Sequence, residues 1–223
     1  MGLIILIVIA YFVWKILYAD SASTKMVLKQ KKRTEEQKKV IRYFLNGEHN
    51  LRRMKDEEYD AMVAEFVNRD HRSKALSRVG LDEDELKEIA PICLHNYNYM
   101  KAWARKGKDG KWRSSSYQVT WLFFSANQLY LYQETINFDC EEKRTSTEEF
   151  HYKDVVSFST TTEVEEIIEE YKTDGTEVHK NIESNKFKIV VPGDSFYAAM
   201  QPTPENERAI QGLKNKLREK KNA

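Results

Sequence analysis

Cysteine, proline and glycine are scarce in this sequence, with 2, 4 and 8 residues respectively among 223. Two cysteines, Cys93 and Cys140, in differently patterned segments do not form a disulfide framework, so free thiols in a reducing compartment are predicted. Scarce proline and glycine, together with 12% aromatic residues, exclude a disordered chain. A net charge of +1 argues against a basic nucleic-acid-binding surface, and no nucleic-acid partner is predicted.

Motifs for nucleotides, metals and catalysis are also missing. There is no GxxxxGK[ST] or GxGxxG loop. The histidines are scattered without HExxH spacing, so neither a cofactor nor a metal site is predicted. Cys93 and His95 lie two residues apart and would share one side of a strand, but no motif supplies the orienting acid and oxyanion hole of a thiolate nucleophile. The chain is predicted not to be an enzyme, and a reaction using Cys93 and His95 is the alternative.

The N-terminal segment is the strongest positive feature. Residues 3–18 read LIILIVIAYFVWKILY, with Lys15 as the one charge. As a helix this stretch would span about 24 Å, short of the ~30 Å hydrocarbon core, and the reach of Lys15 toward the headgroups would help to close the gap. Residues 1–20 are therefore predicted to be a transmembrane anchor, whose bilayer-facing side chains include Leu3, Ile7, Phe12, Trp14 and Tyr18.

Two alternatives compete with an anchor for this segment. A cleavable signal peptide would carry positive charge before its apolar region, which is absent here, although the small residues of segment 19–22 permit cleavage. A core helix is disfavoured because the segment is apolar on every side. Residues 1–14 contain no Lys or Arg and residues 15–42 contain nine. The N-terminus is thus predicted outside the cell membrane and the rest of the chain in the cytoplasm.

Behind the anchor, residues 21–33 are predicted to be a basic juxtamembrane linker and residues 34–90 a helical subdomain. Thr34 with Gln37 makes a capping box, and apolar residues then recur at spacings of three and four. The last predicted turn of this subdomain carries Leu86 and Ile89 and ends at Pro91.

From residue 91 the pattern changes to strands. Residues 117–124 and 128–136 form a predicted hairpin, followed by β-prone runs at 145–153, 155–162 and 186–191. The acidic run at 163–172 fits either an edge strand or a helix. A final helix begins near Thr203 and carries Ile210, Leu213 and Leu217. The prediction is an α+β protein in which residues 91–223 form an antiparallel barrel or sandwich of about seven strands, closed by this helix.

This order of elements, over roughly residues 91–220, resembles a pleckstrin-homology-like domain. The run YQVTWLFFSANQLYLYQ and the arrangement of anchor, helices and strands are similar to bacterial membrane proteins of unknown function that carry such domains. The resemblance implies a bent seven-stranded barrel whose C-terminal helix covers one open end. It implies a binding role.

Residues 101–113, KAWARKGKDGKWR, are the candidate ligand site. A turn at Asp109-Gly110 would bring basic residues of two strands together. The resemblance implies that Lys106, Lys111 and Arg113, with Lys108 beside them, could grip anionic lipid headgroups, and Arg and Lys are suited to phosphate. The alternative is a solvated hairpin tip.

The preferred hypothesis is a single-pass, cytoplasm-facing adaptor or scaffold that binds a protein partner. Lipid-headgroup binding by the 101–113 loop is the second hypothesis.

Overall fold

The computed structural model describes residues 2–86, 90–172 and 174–222 and confirms a mixed α+β class. Ile89, predicted at the end of the helical subdomain, lies outside these residues. Six α-helices are present in the described part: α1 (Gly2–Tyr18), α2 (Ala22–Gln30), α3 (Glu35–Leu45), α4 (Asp56–Val67), α5 (His71–Val79) and α6 (Pro204–Asn222). The nine strands there are β1 (Ile92–Asn98), β2 (Ala104–Lys106), β3 (Trp112–Ser114), β4 (Ser116–Phe124), β5 (Gln128–Asn137), β6 (Lys143–His151), β7 (Ser157–Tyr171), β8 (Glu177–Val191) and β9 (Asp194–Ala199).

The strands form three antiparallel sheets. The first has the order β1-β4-β5-β6, the second has the order β7-β8-β9, and β2 with β3 makes a small hairpin. Gly110 in the β2–β3 turn and Gly193 in the β8–β9 turn have φ values of 79° and 85°, a backbone conformation that glycine adopts without the strain of a Cβ atom. The turn at Gly110 falls where the sequence predicted it, and β9 is a strand that the sequence did not predict.

The expected barrel is absent, because no sheet within the described ranges closes on itself. After β6 the chain turns through buried Tyr152 and Val155 and enters the second sheet, where β7 pairs with β8 instead of β6. The β6 strand is left at the edge of the first sheet, and its residues 143–149 are exposed. The antiparallel pairing is confirmed, the closed barrel is wrong, and the described strands number nine rather than about seven.

The two larger sheets and α6 enclose one core. Leu122 and Leu131 lie opposite each other in the first sheet, and Phe187 and Ile189 come from the second. The predicted stripe of α6 joins this core through the buried residues Ile210, Leu213 and Leu217. Fully burying an aliphatic side chain of this kind stabilises a fold by about 1.5–3 kcal/mol, so this stripe explains why α6 stays against the sheets.

Helices α3, α4 and α5 cover the other side of the first sheet. Thr34 and Gln37 form the predicted capping box at the start of α3. Tyr59 of α4 is fully buried, and its hydroxyl donates to the Ser114 carbonyl at 2.5 Å. The aromatic cluster around it continues into the sheet at Tyr117 and Val119.

Residues 163–172, for which strand and helix were both open, belong mostly to strand β7. The β7–β8 hairpin has 15 residues in each strand. Its far end reaches α2, where the Gln30 amide donates to the Tyr171 hydroxyl at 2.8 Å. The segment predicted as a basic linker thus contains a helix, and Val27 of that helix is fully buried.

Among the described helices, none is by itself long and apolar enough to qualify as a membrane span. The segments Leu3–Tyr18 and Ala22–Gln30 reach the required length and composition only together, across a bend of 48°.

Glu134 forms a buried ionic cluster between α5 and the first sheet. Its carboxylate is bonded by Lys74 and Lys143, each at 2.5 Å, and by the Tyr132 hydroxyl at 2.6 Å. Burial alone would raise the pKa of Glu134, but contacts with His71, Lys143, Lys74 and Tyr132 outweigh burial and hold it well below the ordinary value of 4.5.

We expect Glu134→Gln to lower the free energy of unfolding by about 2 kcal/mol at pH 7, because the cluster loses its charged acceptor. A depressed pKa contributes stability above the ordinary pKa, and this contribution is lost as the pH falls below it. The difference between the two proteins should therefore shrink in strong acid. Urea unfolding of the full chain in mild detergent measures it, with exposed Glu148→Gln as the control.

Candidate collar and hairpin site

The end of α1 is joined to the domain by a collar, which we define as Asp20, Arg42, Asn46, Asn50 and Leu51. The Arg42 guanidinium donates to Asp20 at 3.0 Å, and the Asn46 amide donates to the same carboxylate at 3.2 Å. Both acid and base are nearly buried, with 9% and 11% of their side chains exposed. A paired, buried charge of this kind fixes the direction in which the chain leaves α1.

The collar also bonds the backbone on both sides of Asp20. The Leu51 N–H donates to the Leu17 carbonyl at 2.7 Å, and the Asn50 amide donates to the Ala19 carbonyl at 2.8 Å. These bonds satisfy carbonyls that the last turn of a helix leaves open. On the α2 side, the Asn46 side-chain oxygen accepts from the Ser21 N–H and the Thr24 hydroxyl. The turn from α1 to α2 is therefore held in place by side-chain and backbone hydrogen bonds.

Arg105 of the predicted basic loop binds helix α3. Its guanidinium donates to the carbonyls of Tyr43 and Asn46 at 3.0 and 2.9 Å, and it lies 3.6 Å from the Glu48 carboxylate. A cation is favourable at the C-terminal end of a helix, where unpaired carbonyls carry partial negative charge. The β2 strand is thereby attached to the end of α3.

Arg113 is buried between two carboxylates. It donates two hydrogen bonds to Asp60 of α4, both at 2.7 Å, and two to Asp109 of the hairpin turn, at 2.9 and 3.0 Å. The hydrogen bonds from Arg113 and from the Lys111 N–H hold the pKa of Asp109 well below its ordinary range. Because only 3% of Arg113 is exposed, its guanidinium serves these two contacts and not an external ligand.

The four predicted ligand residues thus separate into two groups. Lys106, Lys108 and Lys111 are exposed on the hairpin, whereas Arg113 is buried in the contact with α4. The tip is held to that helix, because the Lys108 N–H donates to Asp56 at 2.9 Å. The predicted turn brings the basic residues together, but the two arginines face the helices.

A cavity of about 440 Å³, the collar cavity, opens between this tip and the segment that follows α3. Its lining includes Asn50 and Leu51 of the collar, Arg53, and both acids that bind Arg113. The Arg53 side chain is 6% exposed, and its Nε has no hydrogen-bond partner among residues that the structure describes.

A second opening, the polar cleft, lies between the two larger sheets and has a volume of about 530 Å³. One wall carries Gln118, Gln133 and Thr135 of the first sheet, and the other carries Ser184 and Lys186 of β8. The Lys186 ammonium is paired with Glu163 at 3.0 Å and Glu165 at 2.6 Å. Ser184 is 5% exposed, and its hydroxyl finds no partner within the described part of the chain.

Cys93 and His95 lie on β1, but the imidazole is bonded elsewhere. His95 Nδ1 lies 2.8 Å from the Tyr117 hydroxyl. Burial raises the pKa of the Cys93 thiol to about 11 and lowers the pKa of His95. A nucleophilic cysteine needs the opposite shift. Over residues 2–86, 90–172 and 174–222, no group of three or more His, Cys, Asp or Glu side chains is placed to hold a metal ion.

Sequence reasoning missed Asp20, Asp60 and Arg53. Asp20 had a visible signal, because it is an acid directly behind an apolar run, where basic residues are usual. Asp60 is one of several acids along α4, and only the fold shows which of them meets Arg113.

Comparison with models of known protein families, with curated proteins and with solved structures finds no match for this chain.

We expect Arg113→Gln to lower the free energy of unfolding by about 2–3 kcal/mol, since two carboxylates lose their shared cation. Arg113→Lys should recover only part of that loss, because an ammonium cannot reproduce paired bonds to both acids. Lys111→Gln, two residues earlier and exposed, should stay within about 0.5 kcal/mol of the unaltered chain. Chemical unfolding measures all three, and equal losses at both positions would contradict this role of Arg113.

Cys93 is expected to react slowly with iodoacetamide at pH 7 and faster as the pH approaches 11, because only the thiolate attacks. Mass spectrometry of the alkylated peptide gives the rate. Rapid labelling of Cys93 at neutral pH would revive the enzyme alternative.

Proposed function

We propose that this chain is a single-pass membrane protein whose α+β domain is a binding or adaptor module held at the cytoplasmic surface. The observation that supports this proposal is the exposure of α1. Thirteen of its fourteen large apolar side chains from Leu3 to Tyr18 are 43–73% exposed, and Leu17 is the exception. Soluble proteins rarely leave so large an apolar surface in water, and lipid is a medium that covers one helix on every side.

The dimensions are compatible with a bilayer. Seventeen residues in helix span about 25 Å, so α1 needs local thinning or flanking residues to match the ~30 Å hydrocarbon core. Lys15 can reach the headgroups, and Trp14 and Tyr18 are suited to the interface. The bend of 48° behind α1 turns α2 away from the direction of the anchor. Exposed Lys25 and Lys29 of α2 then supply positive charge near an anionic leaflet.

The lysines and arginines behind α1 favour the cytoplasmic side for the domain. The collar gives this anchor a particular use. A flexible tether would let the domain tumble, whereas the bonds of Leu51, Asn50 and Asp20 hold it in one orientation to α1. Such a domain always turns the same surface toward partners that move along the same membrane.

The surface that we assign to binding is the polar cleft. Its amide and hydroxyl side chains suit a polar partner. The buried Ser184 hydroxyl has no hydrogen-bond partner within the described part of the chain, and a ligand would supply one. The edge strand β6 lies beside this cleft, because its residues Arg144, Thr145 and Ser146 also line the cleft. An extended segment of a partner protein is therefore a suitable occupant.

The anchor is tested by Ile9→Arg. An arginine at the middle of a membrane helix costs about 2.5–3.5 kcal/mol, so we expect much of the protein to leave the membrane fraction during a carbonate wash. Val164→Arg is the matched control, because Val164 is a similarly exposed aliphatic residue on β7. It should stay with the membrane like the unaltered chain.

Release of the unaltered chain by carbonate would contradict the anchor. N-terminal sequencing of the mature protein gives an independent check, and a start near residue 22 would assign the apolar segment to a signal peptide instead.

A further inference from the structure

The collar cavity lies directly beside the end of α1. Asn50 and Leu51 line it, and these residues bond the carbonyls of Ala19 and Leu17. If α1 is the anchor, as in the proposed function on which this inference rests, the cavity opens at the depth of the lipid headgroups. The chemistry of its walls then decides which headgroup it fits.

Arg53 provides an unmet donor at this cavity. The Arg53 guanidinium is stacked over the Tyr43 ring at 5.5 Å, and its Nη2 is 3.5 Å from Asp56. Asp56 is already occupied, since it also accepts from the Tyr43 hydroxyl and the Lys108 N–H. Arg53 Nε remains without an acceptor, and exposed Lys55 and Lys108 also line the cavity. A phosphate group supplies the acceptor oxygens that this side lacks.

Asp60 and Asp109 provide excess negative charge in the same cavity. Asp60 and Asp109 share the single cation Arg113, so their cluster carries one uncompensated negative charge. Their side chains are 48% and 39% exposed, which leaves oxygen atoms open to a ligand. A headgroup that is only anionic would be repelled here, whereas a cationic group would be attracted.

We propose that the collar cavity binds a phospholipid headgroup that carries both a phosphate and a primary ammonium group, as in phosphatidylethanolamine. The phosphate lies at Arg53 and the ammonium at Asp60 and Asp109. A primary ammonium donates hydrogen bonds to these carboxylates, which a quaternary ammonium cannot do. Quaternary groups are recognised by aromatic rings, and the described lining of this cavity contains none.

The test uses the full chain in phosphatidylcholine nanodiscs that contain small, equal amounts of phosphatidylethanolamine and phosphatidylglycerol. After mild detergent release, mass spectrometry counts the lipids retained by the protein. We expect phosphatidylethanolamine to be enriched about tenfold over both others, which corresponds to one charge-assisted hydrogen bond. Arg53→Gln should abolish that enrichment. Arg78→Gln removes the same charge at an exposed position of α5, outside the cavity lining and away from the collar, and should retain it.

A second variant tests the ammonium side. Asp109→Asn removes the excess negative charge while Arg113 keeps Asp60, so retention should shift toward phosphatidylglycerol. This residue is exposed, so the test does not depend on whether the buried Arg53 tolerates change. Thermal unfolding confirms that each variant is folded.

Enrichment of phosphatidylglycerol by the unaltered chain, or equal retention of all three lipids, would overturn the proposal. Free phosphoethanolamine is then added as a competitor. If it displaces the retained lipid at equal concentration, the site is assigned to a soluble ligand. Failure to enter nanodiscs, seen by co-elution before lipids are counted, would count against the anchor itself.

Discussion

Arg113 joins the helices to the strands, because one guanidinium bonds Asp60 on α4 and Asp109 in the β2–β3 turn. The neighbouring strand β2 supplies Arg105 to the end of α3, and α3 in turn supplies Arg42 to Asp20 behind α1. Each of these cations is largely removed from water and is matched by acceptors that geometry fixes. These ion pairs and hydrogen bonds together set the position of α1 relative to the sheets. Apolar contacts alone would define the direction of α1 less strictly.

Local patterns in the sequence predicted most of the elements. The capping box at Thr34, the hairpin of β4 and β5, and the stripe of Ile210, Leu213 and Leu217 each depend on neighbours a few residues apart. Closure of a barrel depends instead on whether β6 pairs with a distant strand. The chain crosses to the second sheet at Tyr152 because that ring is buried beside Val155 in the core, a fact of packing that strand propensity does not contain.

The sequence predicted the hairpin at 101–113 but not where its two arginines lie. The basic run at 101–113 does form a hairpin with a glycine turn. Its arginines face inward because acids and carbonyls from residues 43–60 meet them there, and no spacing rule links segments so far apart in the chain. Basic residues that the sequence pattern places on an external surface can therefore be internal. An open donor lies instead on Arg53, outside the predicted segment.

The β7–β8 hairpin connects α2 to the core between the two larger sheets. Fifteen extended residues measure about 50 Å, and this ribbon carries Phe158 in the core, Ser184 in the wall of the cleft and Tyr171 against α2. A ribbon paired along almost its whole length, with one register shift between Ile168 and Glu170, acts as a strut. With α1 as the proposed anchor, the length of this strut sets how far the polar cleft stands from the membrane surface.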